Sequence, residues 1–140
     1  MTGNLCLADG HRIGIHTLAD LHSFIGLLLI KLERLGYTAR ERSGIRLALI
    51  EALVNAIRHG NGNDPSKAVR VRYDASEFQF LIEIEDDGAD VAGNFEPDLN
   101  ARNQRERIGG RDVFLMEHYM TWVRYDENGR CVTMCRVRGA

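Results

Sequence analysis

Glu51 and Asn55 stand four residues apart in a segment whose apolar residues recur with a helical period. Both side chains therefore belong on one helix face, with His59 a further turn along. An Asn side-chain oxygen is a hard ligand of the kind that suits Mg2+. That ion takes few protein ligands and fills its shell with water and phosphate oxygens. A carboxylate one turn away can accept a proton from an attacking hydroxyl or water. Spacing alone leaves a plainer reading open, a solvated helix face, because Glu and Asn are common there.

Two further groups of residues could serve the same chemistry. Asp86-Asp87-Gly88 follows directly on a strand-like run of alternating Phe and Ile. A carboxylate at a strand end can accept a hydrogen bond from an amino group such as that of adenine. A glycine beside it lets a ligand approach the backbone. By itself Asp-x-Gly is also an ordinary turn signal. Gly109-Gly110-Arg111 opens a short helical segment. Helix N-termini hold phosphates through free amides and the helix dipole. Arg102, Arg105, Arg107 and Arg111 would add positive charge, although a plain Gly-Gly connection reads the same way.

These groups need elements to position them. A short strand is predicted around residues 13–17. Leu18, Leu21, Ile25, Leu28, Leu32 and Leu35 then form one apolar helical stripe, ended near Gly36. Thr38 and Glu41 make a T-x-x-E capping box that starts a second helix, predicted over 39–58. Ile45, Leu49, Ala52, Leu53 and Ala56 supply its buried face, and His59, Gly60, Asn61 and Gly62 stop it. Val69, Val71 and Tyr73 alternate with charged residues. So do Phe78, Phe80, Ile82 and Ile84 with mostly polar ones, and the short link between the runs predicts an antiparallel hairpin. Residues 88–107 show little periodicity, and a loop of that length inside a domain is usually functional or disordered. A helix around 112–119 and strands near 121–125 and 131–137 follow, the strands joined at Asn128-Gly129. The order predicts an α+β two-layer sandwich, helices on one face of a mostly antiparallel, mixed sheet.

The bulk composition bounds the class. The 140 residues suit a single domain, 1–140. Lys and Arg total 18 against 20 Asp and Glu, a near-balance that gives no support to non-specific nucleic-acid or membrane binding. Asn4, Asp9, His11 and Arg12 interrupt any opening apolar signal segment, and the run Leu27 to Ile30 is too short to span a bilayer. A soluble cytoplasmic protein is expected. Cys131 and Cys135 lie four residues apart on one predicted strand, about 13 Å at roughly 3.3 Å per residue, too far for a disulfide.

The segments Glu51-Ala-Leu-Val-Asn-Ala-Ile-Arg-His-Gly60, Ile84-Glu-Asp-Asp-Gly88 and Gly109-Gly-Arg-Asp-Val-Phe-Leu-Met116 occur in one order. In that order the chain resembles the GHKL ATPases of the Bergerat fold, and within them the small anti-sigma-factor serine/threonine kinases of bacteria. The resemblance spans about residues 11–137. It implies that Glu51 is the general base and that Asn55 holds Mg2+ against the phosphates of ATP. It implies that Asp86 reads the adenine amino group with Gly88 beside it. Residues 89–108 would be the ATP lid, with Gly109 and Gly110 its phosphate-side hinge and Arg111 next to them. It further implies phosphorylation of a serine or threonine on an anti-anti-sigma (STAS-type) partner, sequestration of a sigma factor, and a homodimer.

The chain departs from the family pattern twice. Asp90 stands where a second glycine is usual after Asp-x-Gly. Gly110-Arg111-Asp112 stands in place of Gly-Arg-Gly or Gly-His-Gly. Like charges about 5 Å apart cost on the order of 3 kcal/mol at an effective dielectric near 20, enough to weaken binding roughly a hundredfold. Asp112 can instead serve as a helix N-cap. The departures keep a second function in view, a partner-sequestering module of the same fold that binds nucleotide weakly or not at all. The ATPase part of a sensor histidine kinase fits less well, because no helical hairpin surrounds His11, His16 or His22.

Overall fold

The computed structural model describes residues 11–87, 110–126 and 129–139, with the backbone alone for 110–114. The chain runs β1 (His11–Ile15), α1 (Leu18–Arg34), α2 (Ala39–Asn55), a π-helical turn (Ala56–Gly60), β2 (Val69–Ala75), β3 (Gln79–Glu85), α3 (Gly110–Tyr119), β4 (Trp122–Tyr125) and β5 (Cys131–Val137). The five strands form one sheet in the order β1-β2-β3-β5-β4. Every pairing among them is antiparallel. The expected α+β architecture is present, and no parallel pairing occurs among the described strands.

Capping residues set where the helices begin. Thr17 caps α1 by accepting from the Asp20 N–H, while the Asp20 carboxylate accepts from the Thr17 N–H. Thr17 is therefore not the end of a strand as expected, and β1 finishes at Ile15. The C-terminus of α1 closes with paired bonds from the Gly36 N–H to the Glu33 carbonyl and from the Tyr37 N–H to the Leu32 carbonyl, with Gly36 at φ +99°. Thr38 and Glu41 form the expected capping box of α2.

The core lies between the sheet and the helices. Leu21, Phe24, Ile25, Leu28 and Leu32 of α1 meet Ile45, Ala48, Leu49, Ala52 and Leu53 of α2 over Val69, Val71, Phe80, Ile82, Ile84, Val132 and Met134 of the sheet. Two expected stripe members differ. Leu18 is exposed because it opens the helix, and Phe78 is exposed because it precedes β3 in the turn. Met116 and Met120 anchor α3 to the same core. The sheet's other face carries the Arg72–Glu83 ion pair, Arg70 at 3.5 Å from Glu85, and a small apolar cluster of Leu81 and Cys135 beside Val137. Cys131 and Cys135 are free thiols.

Candidate functional site

The second helix does not continue as an α-helix to Arg58. Regular α-helical bonding ends at Asn55, and the next five residues form a π-helical turn. The Asn61 N–H donates to the Ala56 carbonyl at 2.9 Å, and the Asn63 N–H donates to the Ile57 carbonyl at 2.9 Å. Gly62 and Asn63 both take positive φ, +63° and 61°, which turns the chain back. Gly-Asn sequences permit such a reversal. A π turn inserted at a helix end widens the local ladder, and such insertions are frequent at functional sites.

Asn55 is the last residue of α2 and only 8% exposed. Its amide nitrogen is enclosed and has no hydrogen-bond partner among the described residues. This excludes the reading of Asn55 as part of a solvated helix face. An enclosed amide without a partner is costly unless something else satisfies it. Glu51, one turn earlier, is half-buried.

Asp86 follows β3 directly and is 9% exposed. Its N–H donates to the Arg130 carbonyl at 2.9 Å, which ties the end of β3 to the start of β5. Its carboxylate lies against the Cα of Gly60: a Cβ placed there would stand 2.2 Å from both Asp86 Cγ and Oδ2. No side chain fits between them. The strand end and the helix end, 26 residues apart in sequence, thus meet through a glycine. Asn61 adds a second bond across the same junction, its Oδ1 accepting from the Asp87 N–H at 2.6 Å. Arg70 stands 3.8 Å from the Asp87 carboxylate on the outer side.

The structure thus brings the Asn55 helix end and Asp86 to one corner of the molecule. Gly88, Gly109, Asp90 and the expected lid 89–108 lie outside the described residues. Gly110 opens α3, two residues earlier than the predicted start, and Arg111 and Asp112 fall in its first turn. Helix α3 is held against α2, where Tyr119 covers the bare face of Gly44. Sequence reasoning missed Asn61, which reads as a turn residue. Its 4% exposure is the signal, and only the tertiary structure carries it.

The described residues contain no group of three or more His, Cys, Asp or Glu able to hold a metal. A magnesium ion bound with a nucleotide needs no such group, since phosphate oxygens and water supply most of its ligands. The enclosed Asn55 Nδ2, without a partner among the described residues, is a donor that suits a phosphate oxygen; a cation would be held by the Oδ1 of the same side chain.

An α+β sandwich of this kind agrees with the family comparison. The histidine kinase-like ATPase domain matches residues 17–136, and the chain belongs to that family. The fold is that of the GHKL ATPases. Among curated proteins the chain is 26% identical over 126 residues to the serine-protein kinase RsbW of Bacillus subtilis (strain 168), covering 81% of this chain and 78% of that one. It is 29% identical over 109 residues to the anti-sigma F factor of Clostridium novyi (strain NT), covering 74% and 76%. No described helix is long and apolar enough to cross a membrane.

Proposed function

We propose that this chain is an ATP-dependent protein serine/threonine kinase that acts as an anti-sigma regulatory factor. On this reading it phosphorylates an anti-anti-sigma protein of STAS type and, in an alternative complex, sequesters a sigma factor. The names of the two relatives support the class of activity. The observation that carries the site is the enclosed Asn55 amide at the end of α2, beside the Gly60–Asp86 contact.

In this site Asn55 would hold Mg2+ through its side-chain oxygen, and Asp86 would accept from the adenine amino group. Bound Mg2+ neutralises charge that develops on the phosphates during transfer. Glu51 accepts the proton of the partner's hydroxyl, the role of a general base. Gly88, Gly109, Gly110 and Arg111 would line the phosphate side, and residues 89–108 would form the lid of one domain spanning 1–140. A homodimer in the cytoplasm is the expected state.

Calorimetric titration with Mg-ATP tests the nucleotide site. Binding is expected in wild type and is expected to weaken about tenfold or more in Asp86→Asn, which removes a charge-assisted acceptor. The variant Glu51→Ala should lose phosphotransfer yet bind its protein partner near the wild-type level, since it removes a proton acceptor and little packing surface. Phosphotransfer at the normal rate in that variant would show that Glu51 is not the base.

One observation favours a second reading. Asp90 and Asp112 bring carboxylates to positions where the family usually has glycine. If their charge abolishes nucleotide binding, the chain is a sequestering module. Replacing both with Gly should raise ATP affinity by roughly tenfold or more. Absence of binding in wild type and variant alike would favour the module.

A further inference from the structure

We propose that Asn61 is a positioning residue that fixes the Asp86 carboxylate and thereby sets selectivity for a 6-amino purine. The inference rests on the proposed reading of Asp86 as the adenine-amino acceptor. Its grounds lie in the junction between the π turn and the end of β3. Asn61 is 4% exposed, and its Oδ1 accepts from the Asp87 N–H at 2.6 Å. Its own N–H is held by the Ala56 carbonyl at 2.9 Å, so the side chain projects from a fixed turn. On the other side, the Asp86 N–H is held by the Arg130 carbonyl at 2.9 Å. The peptide units before and after the Asp86 Cα are thus both anchored, one to the β4–β5 connection and one to the turn that follows Asn55.

Only one of these two anchors belongs to the sheet. The bond to Arg130 extends the strand pairing of β3 and β5 by one residue. The bond to Asn61 is a side-chain bond, made where the sheet has ended, and it aims the residue that follows Asp86. Without it, the Asp87 N–H would be a part-buried donor with no acceptor, and the backbone would rotate to recover one from water. That rotation would swing Asp86 away from Gly60, against which its carboxylate now rests. A carboxylate recognises an amino group by a directional bond, so a loss of aim removes selectivity before it removes affinity for the phosphates.

The test compares ATP with inosine triphosphate, which carries a carbonyl oxygen where ATP carries its amino group. Full-length wild-type protein should bind ATP more tightly by roughly ten- to hundredfold. In Asn61→Ala this preference should fall to about threefold or less, chiefly through weaker ATP binding, and amide exchange at Asp87 should accelerate without any ligand. Asn61→Asp keeps the acceptor oxygen. It should bind both nucleotides more weakly through charge repulsion while keeping the preference, and it decides the question if the alanine variant does not fold. Retention of the wild-type preference by folded Asn61→Ala, or an unchanged Asp87 exchange rate, overturns the positioning role alone. Loss of the preference in folded Asn61→Asp does the same. Equal binding of the two nucleotides by wild type overturns the adenine reading of Asp86, and this proposal with it.

Discussion

At the scale of single residues, the site depends on one absent side chain. Gly60 has no Cβ, and the Asp86 carboxylate occupies the space one would fill. Gly60→Ala is therefore expected to displace Asp86 while α2 and the sheet persist. ATP affinity should drop by roughly tenfold or more, the loss of one hydrogen bond to a charged group. Calorimetry and far-ultraviolet dichroism on the same sample would check both halves of that statement. Gly26→Ala is the matching control. A Cβ at Gly26 meets nothing within 4 Å, in the middle of α1. That change should stabilise the fold by about 1 kcal/mol, the difference in helix propensity, and leave nucleotide binding alone. Cys131 illustrates a residue that chemistry leaves idle. Burial pushes its thiol pKa well above the ordinary value, and Glu83, Glu85 and Asp126 push it further. At neutral pH the thiolate that would react is scarce.

At the scale of elements, the start of α2 is where charge and capping meet. The Glu41 carboxylate accepts from the Thr38 N–H at 2.9 Å and from the Gly139 N–H at 3.1 Å, with the Arg138 guanidinium at 3.7 Å. The Thr38 bond, more than the others, holds its pKa below the ordinary 4.5. A carboxyl group depressed in the folded state stabilises the fold above its unfolded pKa, and the contribution is lost as pH falls through the folded value. Glu41→Gln should therefore cost about 1–2 kcal/mol at neutral pH. The gap between wild type and variant should narrow once the pH drops below about 4.5. Urea unfolding at several pH values measures this, and a gap that stays constant into acid would show that the carboxylate charge is not involved. The π turn after α2 is the other element-scale feature. It places Asn61 where its Oδ1 accepts from the Asp87 N–H.

At the scale of the whole molecule, the chain's last strand is tied to the corner between the two long helices. The Arg138 guanidinium donates to the Gly36 carbonyl at 2.7 Å, the Glu77 carbonyl at 2.8 Å and the Leu35 carbonyl at 3.3 Å. It also lies over the Tyr37 ring at 5.1 Å. Tyr37 is buried, donates to the Ser76 carbonyl at 2.8 Å, and has its pKa pushed up to about 12 chiefly by that burial. Arg138→Ala should cost about 2–3 kcal/mol of stability, from lost hydrogen bonds and the lost contact with the ring. Arg138→Lys should recover only part of it, because a single ammonium nitrogen replaces the two guanidinium nitrogens that reach these carbonyls. Denaturant midpoints of the three proteins decide this.

Much of this architecture was legible in the residues. The α1 stripe, the Thr38–Glu41 box and the alternation along β2 and β3 are local signals, and local physics produces them; Asn128 of the expected hairpin turn lies outside the described residues. The pairing of Glu51 with Asn55 is equally local, a matter of 3.6 residues per turn. What the sequence could not decide is everything that depends on distant segments meeting. Helical periodicity runs through Ala56 and Ile57 without a break, so the π turn left no trace in it. Asn61 read as a turn residue, and spacing alone left Asn55 open between a magnesium ligand and a solvated helix face. Both residues are enclosed only because β3 ends beside the turn. Gly60 read as a helix stop, yet its lack of a side chain is also required by Asp86, 26 positions further along. Composition and period determined which elements form; the packing of one strand end on one helix end decided which polar residues are shut away from water, because burial is a property of neighbours and not of the residue itself.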